Sequence, residues 1–182
     1  MNISLIMPTR NDNLSLVTKT LDTVINQTLP PREIIIIDSS NNEFIEELIS
    51  SLHTKKIKVI YKRILPSYAG KSLNLGISLA THENIALLDT KTYVSNDWLK
   101  AYSKVLNENL NINVVFGSTE FNASANFQKM QKDLLYGNIS HETVPGTLAR
   151  KQVFEKYKFN ENVRSSYDLL WRESIKKDFT YH

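Results

Sequence analysis

The sequence contains no cysteine. Disulfide bonds and thiolate metal sites are therefore excluded, and the composition fits a protein of a reducing compartment. Long apolar runs are also missing, since no stretch approaches the roughly 20 residues that a membrane-spanning helix needs. We therefore expect a cytoplasmic protein, for which peripheral association with the inner face of a membrane stays open.

Glycine is scarce, with five in 182 residues. The loop Met7–Asn13, which follows the first predicted strand, contains none. Binding of a nicotinamide dinucleotide by a Rossmann domain needs a Gly-x-Gly-x-x-Gly turn at this point, so that function is set aside.

An excess of charge of one sign is nearly absent. Lys and Arg number 22 against 19 Asp and Glu, which gives a formal net charge of +3. No basic run exceeds two residues. A nucleic-acid-binding surface normally carries a denser basic patch, so we expect no nucleic-acid partner. Weak attraction to anionic ligands or to an anionic membrane surface stays open.

What is present is an alternation of short apolar runs with helical patterns. The predicted strands are Ile3–Met7, Glu33–Ile37, Ile57–Tyr61, Asn84–Leu88 and Val114–Gly117. Helices are predicted at Leu14–Asn26, Glu43–His53, Lys71–Ala80 and around Trp98–Leu106. Strands that are apolar on both faces are typical of a parallel sheet covered by helices. The pattern predicts an α/β fold with a Rossmann-like, mostly parallel central sheet flanked by helices.

Two of these strands end in an aspartate followed by polar residues. Asp38 follows the isoleucine-rich strand, and Asp89 follows Asn84–Leu88. Because ligands of open α/β sheets bind beyond the carboxyl ends of the strands, we expect both carboxylates to face one crevice.

The pattern loosens beyond Ser118. We predict a turn at Pro145–Gly146 before a short extended piece, and the start of a strand at Phe179–His182. Near the other end of the chain, Pro8 is expected to stop the first strand. Three further helices are predicted, at Lys129–Tyr136, Lys151–Tyr157 and Tyr167–Lys177. We expect one domain over residues 1–182, truncated at its C-terminus because the chain ends where a strand begins.

Several segments match, in order, the motifs of one enzyme family. They are ISLIMPTRN (Ile3–Asn11), EIIIIDSS (Glu33–Ser40), GKSLNLG (Gly70–Gly76), IALLD (Ile85–Asp89) with Trp98–Leu99, and Pro145–Thr147 followed by Tyr167–Asp168 and Trp171–Arg172. The ordered set resembles the family 2 glycosyltransferases. That resemblance implies the GT-A nucleotide-diphospho-sugar transferase fold over nearly the whole chain.

The resemblance implies that a nucleotide-diphosphate sugar, most commonly of uridine, is the donor. Asp38 would accept a hydrogen bond from the base, and Pro8, Thr9 and Arg10 would form the wall of its pocket. Asp89 would hold the ribose or a divalent metal, Mn²⁺ or Mg²⁺, that bridges the diphosphate. A late histidine serves as a metal ligand in some GT-A enzymes, and His182 is the candidate here.

For the reaction, the resemblance implies an inverting hexosyl transfer to a saccharide or lipid-linked acceptor. Asp168 would deprotonate the acceptor hydroxyl, because such a nucleophile is weak until a carboxylate takes its proton. Residues 1–117 would form the nucleotide-sugar-binding half and residues 118–182 the acceptor side. The expected product is a cell-surface polysaccharide or glycolipid.

The chain departs from the family at the metal motif. The usual Asp-x-Asp is replaced by Asp89-Thr90-Lys91. An ammonium beside a hard cation repels it, so metal binding would be weak, completed from elsewhere, or partly replaced by the charge of Lys91. The family's Glu-Asp pair is also altered, to Tyr167–Asp168.

Simpler structural interpretations stay open for each candidate. Asp38 and Asp168 are also placed to cap helices, Lys91 and Arg10 to be solvated surface charges, and Trp98 to belong to the core. A non-catalytic nucleotide-binding module with a degenerate metal motif is the rival function.

Overall fold

The computed structural model describes residues 1–52, 56–121, 123, 125–135 and 141–182. The strands are β1 (Ile3–Thr9), β2 (Glu33–Asp38), β3 (Lys58–Arg63), β4 (Asn84–Leu87), β5 (Ile112–Thr119), β6 (His141–Arg150) and β7 (Thr180–Tyr181). The helices are α1 (Leu14–Ile25), α2 (Phe44–Ser51), α3 (Ala69–Leu79), α4 (Trp98–Glu108), α5 (Asn126–Leu135), α6 (Lys151–Lys156) and α7 (Tyr167–Ile175). The predicted helix ends His53 and Tyr136 lie outside the described residues.

The strands form one seven-stranded sheet in the order β3-β2-β1-β4-β6-β5-β7. β1 to β4 pair in parallel, and β5 pairs in parallel with β7. β6 runs antiparallel to both of its neighbours, β4 and β5. The predicted α/β fold with a mostly parallel central sheet is confirmed, and the β-α-β connections place the ends of β1, β2 and β4 along one edge.

The two faces of the sheet are both buried, which is why its central strands are apolar throughout. Along β1, Leu5 and Met7 join the core on one face, with α1, α2 and α4, while Ile6 joins the core on the other. That second core also receives α3, α6 and α7. Because successive strand side chains point to opposite faces, a strand covered on both sides has no position for an exposed polar residue.

The predicted stop of the first strand at Pro8 is wrong. β1 continues through Pro8 to Thr9, where it pairs with Asp38 of β2. Pairing of β1 with β4 ends at Ile6 and Leu87, so the proline nitrogen lies beyond the point where a donor toward β4 is needed.

The predicted turn at Pro145–Gly146 is also wrong. Both residues lie inside the ten-residue strand β6. Gly146 has φ of +87°, and the pairing register shifts between Val115 and Gly117 on β5. The positive φ of a glycine lets the strand bulge and continue without reversing direction.

Among the helices that the structure describes, none combines the length and the apolar character that crossing a membrane requires.

Candidate functional site

The candidate site lies at the carboxyl-terminal ends of the parallel strands β1, β2 and β4. Thr9 closes β1, its register partner Asp38 closes β2, and Asp89 follows β4 by two residues. The predicted juxtaposition of strand ends is therefore present. The three loops that follow these strands supply the remaining side chains of the site.

Asp38 is completely buried, and both of its carboxylate oxygens accept hydrogen bonds. Oδ1 accepts from the backbone N–H of Ser40 at 2.8 Å, and Oδ2 accepts from the hydroxyl of Tyr61 at 2.8 Å. Burial raises the pKa of Tyr61, and the hydrogen bond to the Asp38 carboxylate raises it further. The role of Asp38 toward a nucleobase stays a prediction, and such contact requires this enclosed carboxylate to open to the crevice.

The loop after β1 is held in place by neighbouring loops. The exposed guanidinium of Arg10 donates from Nη1 to the carbonyl of Ser67 at 3.2 Å, next to the start of α3. Asn11 has φ of +52°, and its backbone N–H donates to Ser40 Oγ at 2.7 Å. These contacts fix the segment that contains Pro8, Thr9 and Arg10, the predicted wall of the base pocket.

Asp89 organises the loop after β4. Its Oδ1 accepts from the hydroxyl of Thr92 at 2.6 Å and from the backbone N–H of Lys91 at 3.2 Å. Asp89 is half-buried. The loop therefore holds the Asp89 carboxylate at the crevice through short-range bonds of its own backbone and side chains.

Asp12 is a site residue that was not predicted from the sequence. Its Oδ2 accepts from Thr9 Oγ1 at 3.0 Å and from the backbone N–H of Arg10 at 3.1 Å, and its Oδ1 lies 3.3 Å from Lys91 Nζ. Burial alone raises the pKa of Asp12, but bonds from Thr90, Arg10 and Thr9, with the charge of Lys91, hold it below its ordinary value. Asp12 thus joins the loops after β1 and β4.

The sequence signal for Asp12 was ambiguous. Three consecutive residues, Asn11, Asp12 and Asn13, are all good N-caps for α1. In the structure Asn13 takes that role, because its side chain accepts from the backbone N–H of Ser15. The Asp12 carboxylate is thereby left for contacts across the site, which local pattern does not reveal.

The candidate base Asp168 lies in the first turn of α7, behind Ser166 at the N-cap position. Its neighbour Tyr167 is half-buried, and this burial raises the pKa of Tyr167 to about 12, with further contributions from the charges of Asp168 and Asp89. The start of α7 therefore lies within electrostatic reach of the end of β4. The helix-cap interpretation of Asp168 does not describe this arrangement, because Ser166 occupies the N-cap position.

His182 directly follows the edge strand β7 and lies alongside β5. Its backbone N–H donates to the carbonyl of Val114 at 2.9 Å, and its own carbonyl accepts from the N–H of Phe116 at 2.9 Å. Within the ranges that the structure describes, no three His, Cys, Asp or Glu side chains converge as metal ligands. With Lys91 also adjacent, these residues do not fit a metal held by protein side chains alone, and ligation by Asp89 with His182 stays a prediction.

Both tryptophans belong to the core. Trp98 is 5% exposed and donates from Nε1 to the carbonyl of Gly146 at 2.8 Å. Trp171 is 2% exposed and stacks on Phe154, with ring centroids 5.1 Å apart. Trp98 thereby attaches α4 to β6, and Trp171 attaches α7, the helix that carries Asp168, to α6.

A protein-family comparison gives a match over residues 4–158 to the model described as Glycosyl transferase family 2. Asp168 lies outside the matched residues. An uncharacterized glycosyltransferase of Methanocaldococcus jannaschii is 25% identical over 98% of this chain, which spans 66% of that relative. The chain thus spans less than two thirds of the length of this relative.

Solved structures share the fold. S. aureus TarS (residues 1–349) superposes with a TM-score of 0.73 at 20% identity, covering 96% of this chain and 55% of TarS. TarS has also been solved in complex with UDP-GlcNAc. The mannosyltransferase PcManGT from Pyrobaculum calidifontis, in complex with GDP-Man and Mn²⁺, superposes with a TM-score of 0.71 at 16% identity, covering 99% of this chain and 53% of PcManGT.

Proposed function

This chain belongs to glycosyl transferase family 2, and we propose that it transfers a sugar from a nucleotide-diphosphate sugar to an acceptor hydroxyl with inversion at the anomeric carbon. The observation that carries the proposal is that the charges of both Asp168 and Asp89 contribute to the raised pKa of Tyr167. The candidate base Asp168, next to Tyr167 on α7, would then lie near the strand end that would hold the donor. An acceptor and a donor would meet between these elements.

The donor would occupy the crevice beyond β1, β2 and β4. Pro8, Thr9 and Arg10 would form one wall, and Asp38 would receive the base once Tyr61 moves aside. The ribose would lie against Asp89. A uridine nucleotide is the first choice, supported by the UDP-GlcNAc complex of TarS, and a guanosine nucleotide is the second, supported by the GDP-Man complex of PcManGT.

Asp168 would be the general base. Its carboxylate would take the proton of the acceptor hydroxyl while the oxygen attacks the anomeric carbon from the side opposite the departing diphosphate. Tyr167, with a pKa of about 12, is protonated at neutral pH. It would therefore act as a hydrogen-bond donor in the site, which leaves the proton transfer to Asp168.

Charge must also be supplied to the departing diphosphate. A divalent metal supplies it in many enzymes of this fold, as the Mn²⁺ in the PcManGT complex illustrates. The ammonium of Lys91 lies 3.3 Å from Asp12 Oδ1. We assign Lys91 as a cation that this chain supplies to the diphosphate.

Residues 1–117 would form the nucleotide-sugar-binding half and residues 118–182 the acceptor side, with a saccharide or lipid-linked acceptor. We propose a role in the synthesis of a cell-surface polysaccharide or glycolipid, in the cytoplasm or at the inner membrane face. The modest net charge of +3 favours approach to an anionic membrane surface.

A non-catalytic nucleotide-binding module is the second candidate. The replacement of the second metal-motif carboxylate by Lys91 and the complete enclosure of Asp38 favour it. In that case nucleotide would bind without transfer.

Calorimetric titration of the chain with UDP, GDP and dTDP tests the donor site. We expect one nucleotide to bind at least about tenfold more tightly than the others, a difference of about 1.4 kcal/mol. Release of that nucleotide from its sugar conjugate, in the presence of simple glycosides as acceptors, tests transfer. Binding without release would favour the non-catalytic module, and failure of all three nucleotides to bind would overturn the proposal.

A further inference from the structure

The Asp12–Lys91 ion pair connects the loops that follow β1 and β4. We propose that Asp12 positions the ammonium of Lys91 as a built-in cation for the diphosphate, so that this chain binds its nucleotide without a divalent metal. The inference rests on the proposed nucleotide site and names the group that neutralises the ligand within it.

Asp12 is fixed more firmly than a surface carboxylate. Its side chain is 12% exposed, and its Oδ2 accepts both from the hydroxyl of Thr9 and from the backbone N–H of Arg10. Two donors on one oxygen define the orientation of the carboxylate, which directs Oδ1 toward Lys91. The position of Asp12 is therefore set by β1, independently of any ligand.

Lys91 is anchored at both ends. Its backbone N–H donates to Asp89 Oδ1 at 3.2 Å, and its Nζ lies 3.3 Å from Asp12 Oδ1. The side chain is nevertheless 67% exposed. An ammonium carries three N–H groups, so contact with one carboxylate oxygen leaves capacity for the oxygens of a phosphate.

Stability does not account for the pair. An ion pair whose lysine is 67% exposed contributes about 0–1 kcal/mol to folding, because water competes for the ammonium. Positioning is the effect that remains, since a flexible lysine held near one place loses less freedom when a ligand arrives.

Lys91 makes this place less suitable for a divalent metal than the family's usual motif, although the carboxylates of Asp12 and Asp89 lie beside it. Where the resembling family has a second carboxylate, this chain has a positive charge, and an Mg²⁺ or Mn²⁺ ion prefers several oxygen ligands. The described residues bring no three metal-ligating side chains together. A lysine ammonium is a common point-charge partner of phosphate.

The first test is calorimetric titration of the chain with the nucleoside diphosphate that it binds, once with Mn²⁺ and once with EDTA. We expect the two Kd values to agree within about twofold, less than 0.5 kcal/mol. Loss of about tenfold or more in EDTA would overturn the inference and leave the proposed function standing. Absence of binding in both solutions would overturn the proposed function itself.

Variants assign the effect to Lys91. Lys91→Ala should weaken binding by about tenfold or more in either solution, since a charged hydrogen bond is lost. Lys91→Arg, which keeps the charge, should stay within about threefold of the unaltered chain. The matched control is Lys104→Ala, an exposed lysine that pairs with Glu108 on α4. Unchanged affinity of Lys91→Ala would overturn the inference.

The role of Asp12 is tested through coupling. Asp12→Asn should change the Kd of the nucleotide in the unaltered chain and leave it unchanged when Lys91 is already alanine, because Asp12 acts through Lys91. An equal change in both backgrounds, or none in either, would overturn the positioning role. Lys91→Asp adds a gain-of-function arm, since a second carboxylate should make the affinity respond to Mn²⁺.

Discussion

The hydroxyl of Tyr61, on β3, donates a 2.8 Å hydrogen bond to Oδ2 of Asp38, at the end of β2. Asp38 has no exposed surface. A buried carboxylate is costly unless its oxygens are hydrogen-bonded. The pair therefore links the stability of the sheet edge to the conformation of a candidate ligand-binding residue.

Tyr61→Phe should lower the free energy of unfolding by about 1–3 kcal/mol, because it leaves a buried carboxylate oxygen without this partner. Urea denaturation followed by circular dichroism measures the change. Tyr93→Phe, at a tyrosine that is 51% exposed, is the control and should have little effect. Equal stability of both variants would show that Asp38 does not depend on Tyr61.

Asp168→Asn should reduce sugar transfer by about 10²–10⁴-fold, because the amide cannot take the proton of the acceptor hydroxyl. The Kd of the nucleotide should not change, since Asp168 is assigned to the acceptor. Steady-state turnover and calorimetry measure the two effects separately. Glu173→Gln, at a 75% exposed carboxylate on the same helix α7, should retain full turnover. Full turnover of Asp168→Asn would remove Asp168 from the mechanism.

Glu33→Gln should make the free energy of unfolding depend less on pH in the acidic range. Oε1 of the buried Glu33 accepts from Ser4 Oγ at 2.6 Å and from the backbone N–H and hydroxyl of Thr81 at 2.8 and 2.9 Å. Burial alone raises the pKa of Glu33, but these bonds outweigh it and hold the pKa below the ordinary 4.5. A carboxyl group whose pKa is lower in the folded than in the unfolded chain stabilises the folded chain above about pH 4.5. This stabilisation is lost as the pH falls through the folded-state pKa.

The measurement is urea denaturation of Glu33→Gln and of the unaltered chain from pH 7 to pH 3. The variant should be the less stable of the two at pH 7, and the gap should narrow as the pH falls. Glu108→Gln, at an exposed carboxylate of α4, should show no such convergence. A gap that stays constant with pH would mean that the charge of Glu33 does not contribute.

Gly70→Ala should destabilise the chain by about 1–3 kcal/mol, as overpacking does. A Cβ at Gly70 would lie 2.2 Å from the backbone oxygen of Asn160, so α3 would have to move away from the segment before α7. This cost should exceed the roughly 1 kcal/mol that alanine gains over glycine inside a helix. Thermal denaturation tests it, with Ser78→Ala on the exposed side of α3 as the control. A Gly70→Ala variant more stable than the unaltered chain would show that α3 and the segment at Asn160 can move apart at little cost.

Local sequence pattern was sufficient for the parallel half of the sheet. The apolar runs that end in Asp38 and Asp89 have the length of strands, and helical periodicity separates them, so the β-α-β order and the shared edge were predictable. Ordered motifs added the family. Both signals are carried by residues near each other in the chain.

Predictions failed where distant segments decide the conformation. Pro8 lies inside β1 because β4 pairs only as far as Ile6, and Gly146 bulges within β6 instead of reversing it. The neighbouring residues in the sequence do not predict either outcome, because both depend on which strand lies alongside.

The sequence by itself determined the α/β fold, the strand-end carboxylates and the family. The tertiary structure alone decided that Asp12 meets Lys91, that Tyr61 encloses Asp38, and that Tyr167 at the start of α7 lies within reach of the charge of Asp89. The physical reason is that periodicity and capping act over a few residues, whereas these contacts join residues brought together only when both faces of the sheet are covered.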